Sequence, residues 1–272
     1  MEREEISLTG TTETLLITLY GKALESREPD SLLNDHFAEQ IVSRIDYDFA
    51  KLKVDRNLSI GLAARAGVLD DWVRAFVGRH PDAIVLHLGC GLDTRVSRID
   101  PPSSVEWFDV DYPEVIDLRR RLYPDRENCR MVASSVTVGD WLAQVPRDRP
   151  AMIVAEGLTP YLDADQGKEL LSQLVSHLRA GGELICDVYS ELGLKFVRQS
   201  PSFQATGAEI HWAIDDPRDL ERAVPGLRLV DDVSAYRPQH IARMDWFARW
   251  IVLVWSFIPA LRKIGRLLRF RF

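Results

Sequence analysis

Two glycines two residues apart, Gly89 and Gly91, follow the apolar run "AIVLHL" in the stretch "VLHLGCGLDTR". Glycines suit a place where the chain turns with positive φ and a ligand's ribose or phosphate lies against bare backbone. The next residues narrow the ligand. A dinucleotide fingerprint has a third glycine where the helix N-terminus meets a pyrophosphate; this chain has Asp93 and Thr94. An acid there repels a pyrophosphate and suits a neutral or cationic ligand, unless Asp93 only caps the helix. Two more acids, Asp109 and Asp111, close the strand pattern in "EWFDVDYPEV", roughly twenty residues on, where a carboxylate can accept both hydroxyls of a ribose. Asp111, nearer the strand end, is the better placed. Glu156 ends another apolar run, "AMIVAE", just before Gly157. Acids seldom sit in such positions without a partner, and this one can pair with an ammonium group or lie near a sulfonium.

These residues need a scaffold that gathers strand ends. The runs "AIVLHL", "VEWFDV", "CRMVAS", "AMIVAE" and "GELICDV" alternate with helical patterns such as "YPEVIDLRRRLY" and "DQGKELLSQLVSHLRAGG". That alternation predicts an α/β fold with a doubly wound, mostly parallel sheet, which binds ligands outside the carboxyl ends of its strands. Residues 1–80 read as a helical cap, from "TETLLITLYGKALES", "SLLNDHFAEQIVSRI" and "GLAARAGVLDDWVRAFVGR". Residues 81–236 read as the core, with a further strand in "LRLVDDVSAY" and a helix in "DPRDLERAV". Residues 237–272 read as a basic, aromatic helical segment, the whole forming one globular unit. His87, inside the first strand, reads as a core residue.

With 272 residues, 46% of them apolar, the chain suffices for one large α/β domain. Cys90, Cys129 and Cys186 lie far apart, which predicts a reducing, cytoplasmic setting and no metal site. The start, "MEREEISLTGTTETLL", lacks the continuous apolar core of a signal peptide. Charge is uneven: the chain is −7 overall, yet from Arg237 onward eight Lys/Arg face the single acid Asp245, leaving −14 on the rest. Between Arg249 and Arg262 lie 12 uncharged residues, too few to span a bilayer. This segment fits a helix on the core or a cover over an apolar site, and less well an anionic membrane face. The sequence does not encode an oligomeric state.

The stretches "LGCGLDTR", "FDVDYPEVIDLRR", "SSVTVGDWL" and "AEGLTPYL", with "LYGKALES" and "AARAGVLDDWVRAFV" upstream, resemble the leucine carboxyl methyltransferase family, including bacterial members that methylate polyketides of the tetracenomycin type. The likeness covers most of the chain. It implies a Rossmann-like, class I methyltransferase fold that uses S-adenosylmethionine and releases S-adenosylhomocysteine. By the same resemblance, Gly89 and Gly91 approach the methionine and ribose parts and Asp111 takes the ribose hydroxyls. Ser135 and Val136 lie beside the adenine, Arg65 and Lys22 hold the methionine carboxylate, and Glu156 lies near the amino group. Tyr161 matches a family tyrosine on the substrate side, and Tyr189 follows the fifth strand in a similar place; either can orient an acceptor oxygen or simply pack. "SSVTVGD" departs from relatives that carry an acid there.

Methyl transfer from a sulfonium needs an oxygen nucleophile held about 3 Å from the methyl carbon, in line with the sulfur. A carboxylate is ionised at neutral pH, whereas a phenol, with a pKa near 10, gains from a base or a cation. No histidine lies in the motifs quoted for the resemblance, and His211 and His240 fall in less regular regions. The expected function is therefore O-methylation of a carboxylate on an apolar small molecule, such as a polyketide or other secondary metabolite. A phenolic acceptor and a noncatalytic cofactor binder are the alternatives. Nucleic acid is disfavoured by the overall acidity and by "EGLTPYL", where base-amino methyltransferases carry a polar-Pro-Pro-aromatic segment.

Overall fold

The computed structural model describes residues 3–6, 8–234 and 236–272. Seven strands form one sheet: β1 (Ile84–Leu88), β2 (Glu106–Asp111), β3 (Cys129–Ala133), β4 (Ala151–Ala155), β5 (Gly182–Tyr189), β6 (Arg228–Ser234) and β7 (Gly265–Arg271). Their order is β3-β2-β1-β4-β5-β7-β6. The first five run parallel, and β7 is antiparallel to both its neighbours. Every residue of β1 and β4 is buried, which is why these strands read as continuous apolar runs rather than alternating ones. The chain leaves β1 toward β2 and β3 and returns to β4 on the other side, so the order reverses between β1 and β4 and a crevice opens over their carboxyl ends.

Helices α1 (Thr14–Ser26), α2 (His36–Arg44) and α3 (Arg56–Arg79) precede the sheet. Helices α4 (Arg95–Ile99), α5 (Pro113–Leu122) and α6 (Ala164–His177) connect its parallel strands, and α7 (Glu191–Gln199), α8 (Arg218–Ala223) and α9 (Trp246–Ser256) surround its antiparallel edge. One face of the sheet packs Val85, Trp107 and Val154 against Leu69, Val73 and Phe76 of α3. The other packs Leu86, Phe108 and Ile153 against Leu170, Leu171 and Leu174 of α6. The cap does not form a core apart from the sheet: Leu16 and Leu19 of α1 share an apolar cluster with Leu92, after β1, and with Leu118 of α5. That continuity brings α1 and α3 to the strand ends.

The C-terminal reading needs one correction. Residues 246–256 are helical, but 265–271 form strand β7 instead of continuing as helix. Leu267, Leu268 and Phe270 are fully buried. The arginines of the same strand meet acids of the adjacent strands, Arg266 with Asp232 of β6, Arg269 with Asp231 of β6 and Glu183 of β5, and Arg271 with Glu183. Charges that suggest a solvated helix face are thus cross-strand partners. Among the described residues no helix is long and apolar enough to cross a membrane.

Candidate active site

The turn after β1 is left-handed at both glycines, with φ +59° at Gly89 and +50° at Gly91. A Cβ at Gly89 would lie 3.0 Å from the Leu158 side chain, and one at Gly91 would lie 3.2 Å from Leu15. The turn therefore needs glycine for handedness and for the close approach of α1 and the loop after β4. Its backbone is tied to β2: Asp111 Oδ2 accepts from the Gly91 N–H at 2.7 Å and Oδ1 from the Tyr112 N–H at 2.7 Å. Burial pushes the Asp111 carboxyl up in pKa, against the pull of those two bonds.

Asp109 has a different fate. It is fully buried, accepts from Trp107 Nε1 at 2.9 Å, lies 3.2 Å from His87 Nδ1, and pairs with Arg119. Burial alone would raise its pKa, but Arg119 and the donors around it outweigh that and hold it low. The interior uses up Asp109, while Asp111 borders the crevice. His87, expected as a plain core residue, is buried but not inert: its Nε2 lies 3.0 Å from Arg95 Nη1, so the ring bridges Asp109 to Arg95.

Around Glu156 lies a buried ionic network. Lys22 Nζ on α1 is 2.9 Å from Asp93 Oδ2 and 3.2 Å from Glu156 Oε1. Arg65 on α3 donates from Nε to Glu156 at 3.1 Å and from Nη1 to Asp187 at 2.9 Å. Arg95 joins Asp70 at 2.7 Å and also Glu156. Arg98 joins Asp70 at 2.9 Å, Asp35 at 2.7 Å and Asp93 at 2.7 Å. No side chain of this group is more than 10% exposed. Burial would raise the carboxyl pKa of Glu156, but Lys22, Arg95 and Arg65 hold it far below the usual range, and Arg98, Lys22 and Arg95 do the same for Asp93. Five buried carboxylates, Asp35, Asp70, Asp93, Glu156 and Asp187, face four buried cations, with the half-exposed Arg74 3.9 Å from Asp70. Among the buried groups the excess is negative, and Asp111 adds to it.

One expectation is refined here and one changes. The partner expected for Glu156 is supplied first by the chain itself, since three of its cations contact the carboxylate. Asp93 is not the cap of α4: Thr94 holds that position, its hydroxyl donating to Asp35 at 2.6 Å. Asp35, Asp70, Arg95, Arg98 and Asp187 are additional members that the sequence reading did not select. The available signal was an acid inside an apolar run, as in "GVLDDW" and "LICDV".

The ten residues that the resemblance assigns line one cavity of about 260 Å³ at the strand ends, Lys22, Arg65, Gly89, Gly91, Asp111, Ser135, Val136, Glu156, Tyr161 and Tyr189, whereas Asp109 does not. Ser135 Oγ lies 3.0 Å from Thr137 Oγ1, and the Val136 carbonyl accepts from Trp141 Nε1 at 3.2 Å, which fixes that wall. A second cavity of about 660 Å³ has an apolar wall that includes Phe196, Phe203, Tyr236, Val252 and Trp255. Thr14, Arg65, Tyr161 and Tyr189 border both cavities. Burial raises the phenol pKa of Tyr161 and of Tyr189, so both stay protonated at neutral pH. Helix α9 supplies Val252 and Trp255, so the C-terminal segment covers the larger chamber. Tyr236 is a wall residue with no counterpart among the sequence candidates.

A sheet of this order, with a glycine turn and an anionic crevice at its switch point, defines the class: the chain is an S-adenosylmethionine-dependent methyltransferase. It belongs to the leucine carboxyl methyltransferase family, whose model matches residues 16–175. It is 46% identical over 269 residues to the tetracenomycin polyketide synthesis O-methyltransferase TcmP of Streptomyces glaucescens, covering 99% of each chain. It is 33% identical over 287 residues to the S-adenosyl-L-methionine-dependent methyltransferase dpfgK of Gibberella zeae, covering 97% of this chain and 96% of the other. Among solved structures, a DUF574-family protein of Streptomyces avermitilis shares the fold, with a TM-score of 0.60, 13% identity and 97% coverage of each chain.

Proposed function

We propose that this methyltransferase moves the methyl group to a carboxylate oxygen of an apolar, polyketide-like small molecule. The observation that carries the reading is the junction of the two cavities. An ionic cavity at the strand ends shares Tyr161 and Tyr189 as wall residues with a larger apolar one. Among the described residues that line them, His87 is the one histidine, and both its ring nitrogens are engaged, by Asp109 and Arg95. A site with no free histidine among the described lining residues suits a nucleophile that is already ionised, and a carboxylate meets that condition where a phenol does not. The 46% identity to an O-methyltransferase of polyketide synthesis supports the same acceptor class.

The residues fit the cofactor on charge. A buried network with one carboxylate in excess, next to Asp111, suits a ligand with a sulfonium and an ammonium. Lys22 and Arg65 would face the cofactor's carboxylate, Asp111 its ribose hydroxyls, Ser135 and Val136 its adenine, and Glu156 its amino group. Bound there, S-adenosylmethionine supplies an electrophilic methyl carbon. The chain's own part is positioning. The protonated Tyr161 and Tyr189 phenols each have a proton to donate to one acceptor oxygen, leaving the other free to attack.

The test is a transfer assay with methyl-labelled cofactor and a panel of apolar aromatic acids and phenols. A labelled product that releases methanol in mild alkali is expected. A product that survives alkali is an aryl ether and would replace the carboxylate reading with a phenolic one.

A further inference from the structure

Helix α9 has two apolar faces, and the acceptor chamber accounts for only one. Val252 and Trp255 point inward. On the outside, Trp246 is 79% exposed, Trp250 59%, Leu253 55% and Phe257 73%, with Phe247 beside them. The spacing of 246, 250, 253 and 257 alternates four and three residues, which is the seam of a paired helix. Buried aromatic side chains cover roughly 150–250 Å² each, so this face presents on the order of 700 Å². That exceeds what a monomer commonly exposes and approaches the roughly 800 Å² per partner of a standard interface.

We propose that a second copy of this chain covers the outer face of α9, through an antiparallel, two-fold pairing of α9 with itself. In that arrangement Trp246 of one copy meets Phe257 of the other, and Trp250 meets Leu253. Charge selects the direction. Asp245 stands at the amino end of α9 with Arg249 one turn on, and Lys263 and Arg262, the latter also held within its own chain, follow the carboxyl end. Antiparallel pairing brings the acid of each copy toward the bases of the other, whereas parallel pairing sets like charges side by side. The two-fold makes the patch self-complementary. An anionic bilayer fits less well, because the chain outside the last 36 residues carries −14. The dimer would also fix α9 from outside, and so brace the chamber wall that Val252 and Trp255 form.

The experiment is light scattering coupled to size exclusion on the full chain, with anionic phosphatidylglycerol vesicles in a parallel sedimentation assay. A dimer is expected, and Trp250→Glu or Phe257→Glu should weaken it at least about 30-fold. Both side chains are exposed, so circular dichroism and S-adenosylhomocysteine affinity should match the parent. Orientation is read by oxidising a mixture of Trp250→Cys and Leu253→Cys chains, which should cross-link more than either variant alone. A parent that stays monomeric at its highest soluble concentration, a monomer that sediments with the vesicles, or a dimer indifferent to both glutamates would overturn the proposal. Equal cross-linking in all three samples would overturn the antiparallel pairing.

Discussion

Replacing Glu156 by glutamine keeps the side chain's shape and removes one negative charge from the centre of the buried network. Its carboxylate contacts Lys22, Arg65 and Arg95, and its side chain is 3% exposed. In the variant an amide N–H₂ would face cations, and those cations would lose a partner that solvent cannot replace. Removing one member of a buried ion pair costs about 3–5 kcal/mol. For a chain of this size about 1 kcal/mol moves the unfolding midpoint by roughly 2–4 °C, so a fall of roughly 6–20 °C is expected. The control is Asp219→Asn: Asp219 and its partner Arg222 are both 62% exposed, and such surface pairs contribute less than about 1 kcal/mol. Thermal unfolding followed by circular dichroism makes the comparison. If Glu156→Gln melts within about 2 °C of the Asp219→Asn control, the Glu156 carboxylate does not hold the network together.

Four other outcomes are expected. Burial pushes up on Glu156, Asp93 and Asp109, but their cationic partners outweigh it, so all three lie below their unfolded-state pKa values. Their stabilisation is complete above the unfolded carboxylate range near 4 and is lost progressively as pH falls below it. Asp111, shifted upward by burial, opposes this as one group against three. Urea midpoints should therefore drop steeply below about pH 4, and midpoints unchanged down to about pH 3 would count against the assignment. Asp111→Asn should weaken S-adenosylhomocysteine binding by roughly ten- to a hundredfold in calorimetry, the scale of a hydrogen bond to a charged group; unchanged affinity would remove Asp111 from the ribose. Gly89→Ala places a Cβ at φ +59° and 3.0 Å from Leu158, and should cost about 1–3 kcal/mol in chemical unfolding; no loss would show that the turn tolerates a side chain. Trp255→Ala removes part of the chamber wall, so KM for the acceptor should change in transfer assays while cofactor affinity does not; the reverse pattern would place Trp255 with the cofactor.

What the sequence disclosed follows from where each residue stands. Gly89, Gly91, Asp111 and Glu156 each occur where an apolar run stops, so the period of the pattern and the type of residue point to the same place. Val136 and Ser135 came only through the resemblance, since nothing in "SSVTVGD" distinguishes a wall from a loop. The partners of the ionic network were not legible because they are brought together across the fold: Arg65 and Asp187 meet at 122 residues' separation, and Thr94 and Asp35 at 59. Strand β7 was hidden for a related reason. Its arginines look like a solvated face until Asp231, Asp232 and Glu183 of the neighbouring strands are beside them. Tyr236 carries no signal of its own; its place in the chamber wall depends on the fold, which packs its hydroxyl where a Cβ on Gly61 would lie 3.0 Å away.

The pH dependence of kcat/KM with a carboxylic acid acceptor tests most directly whether this crevice presents an already ionised oxygen and supplies no base. Between about pH 6 and 9 the profile should be flat, because the nucleophile is fully ionised and no catalytic group titrates there. A rate that climbs about tenfold per pH unit across that range would mean that a proton must leave before transfer, and would contradict the account.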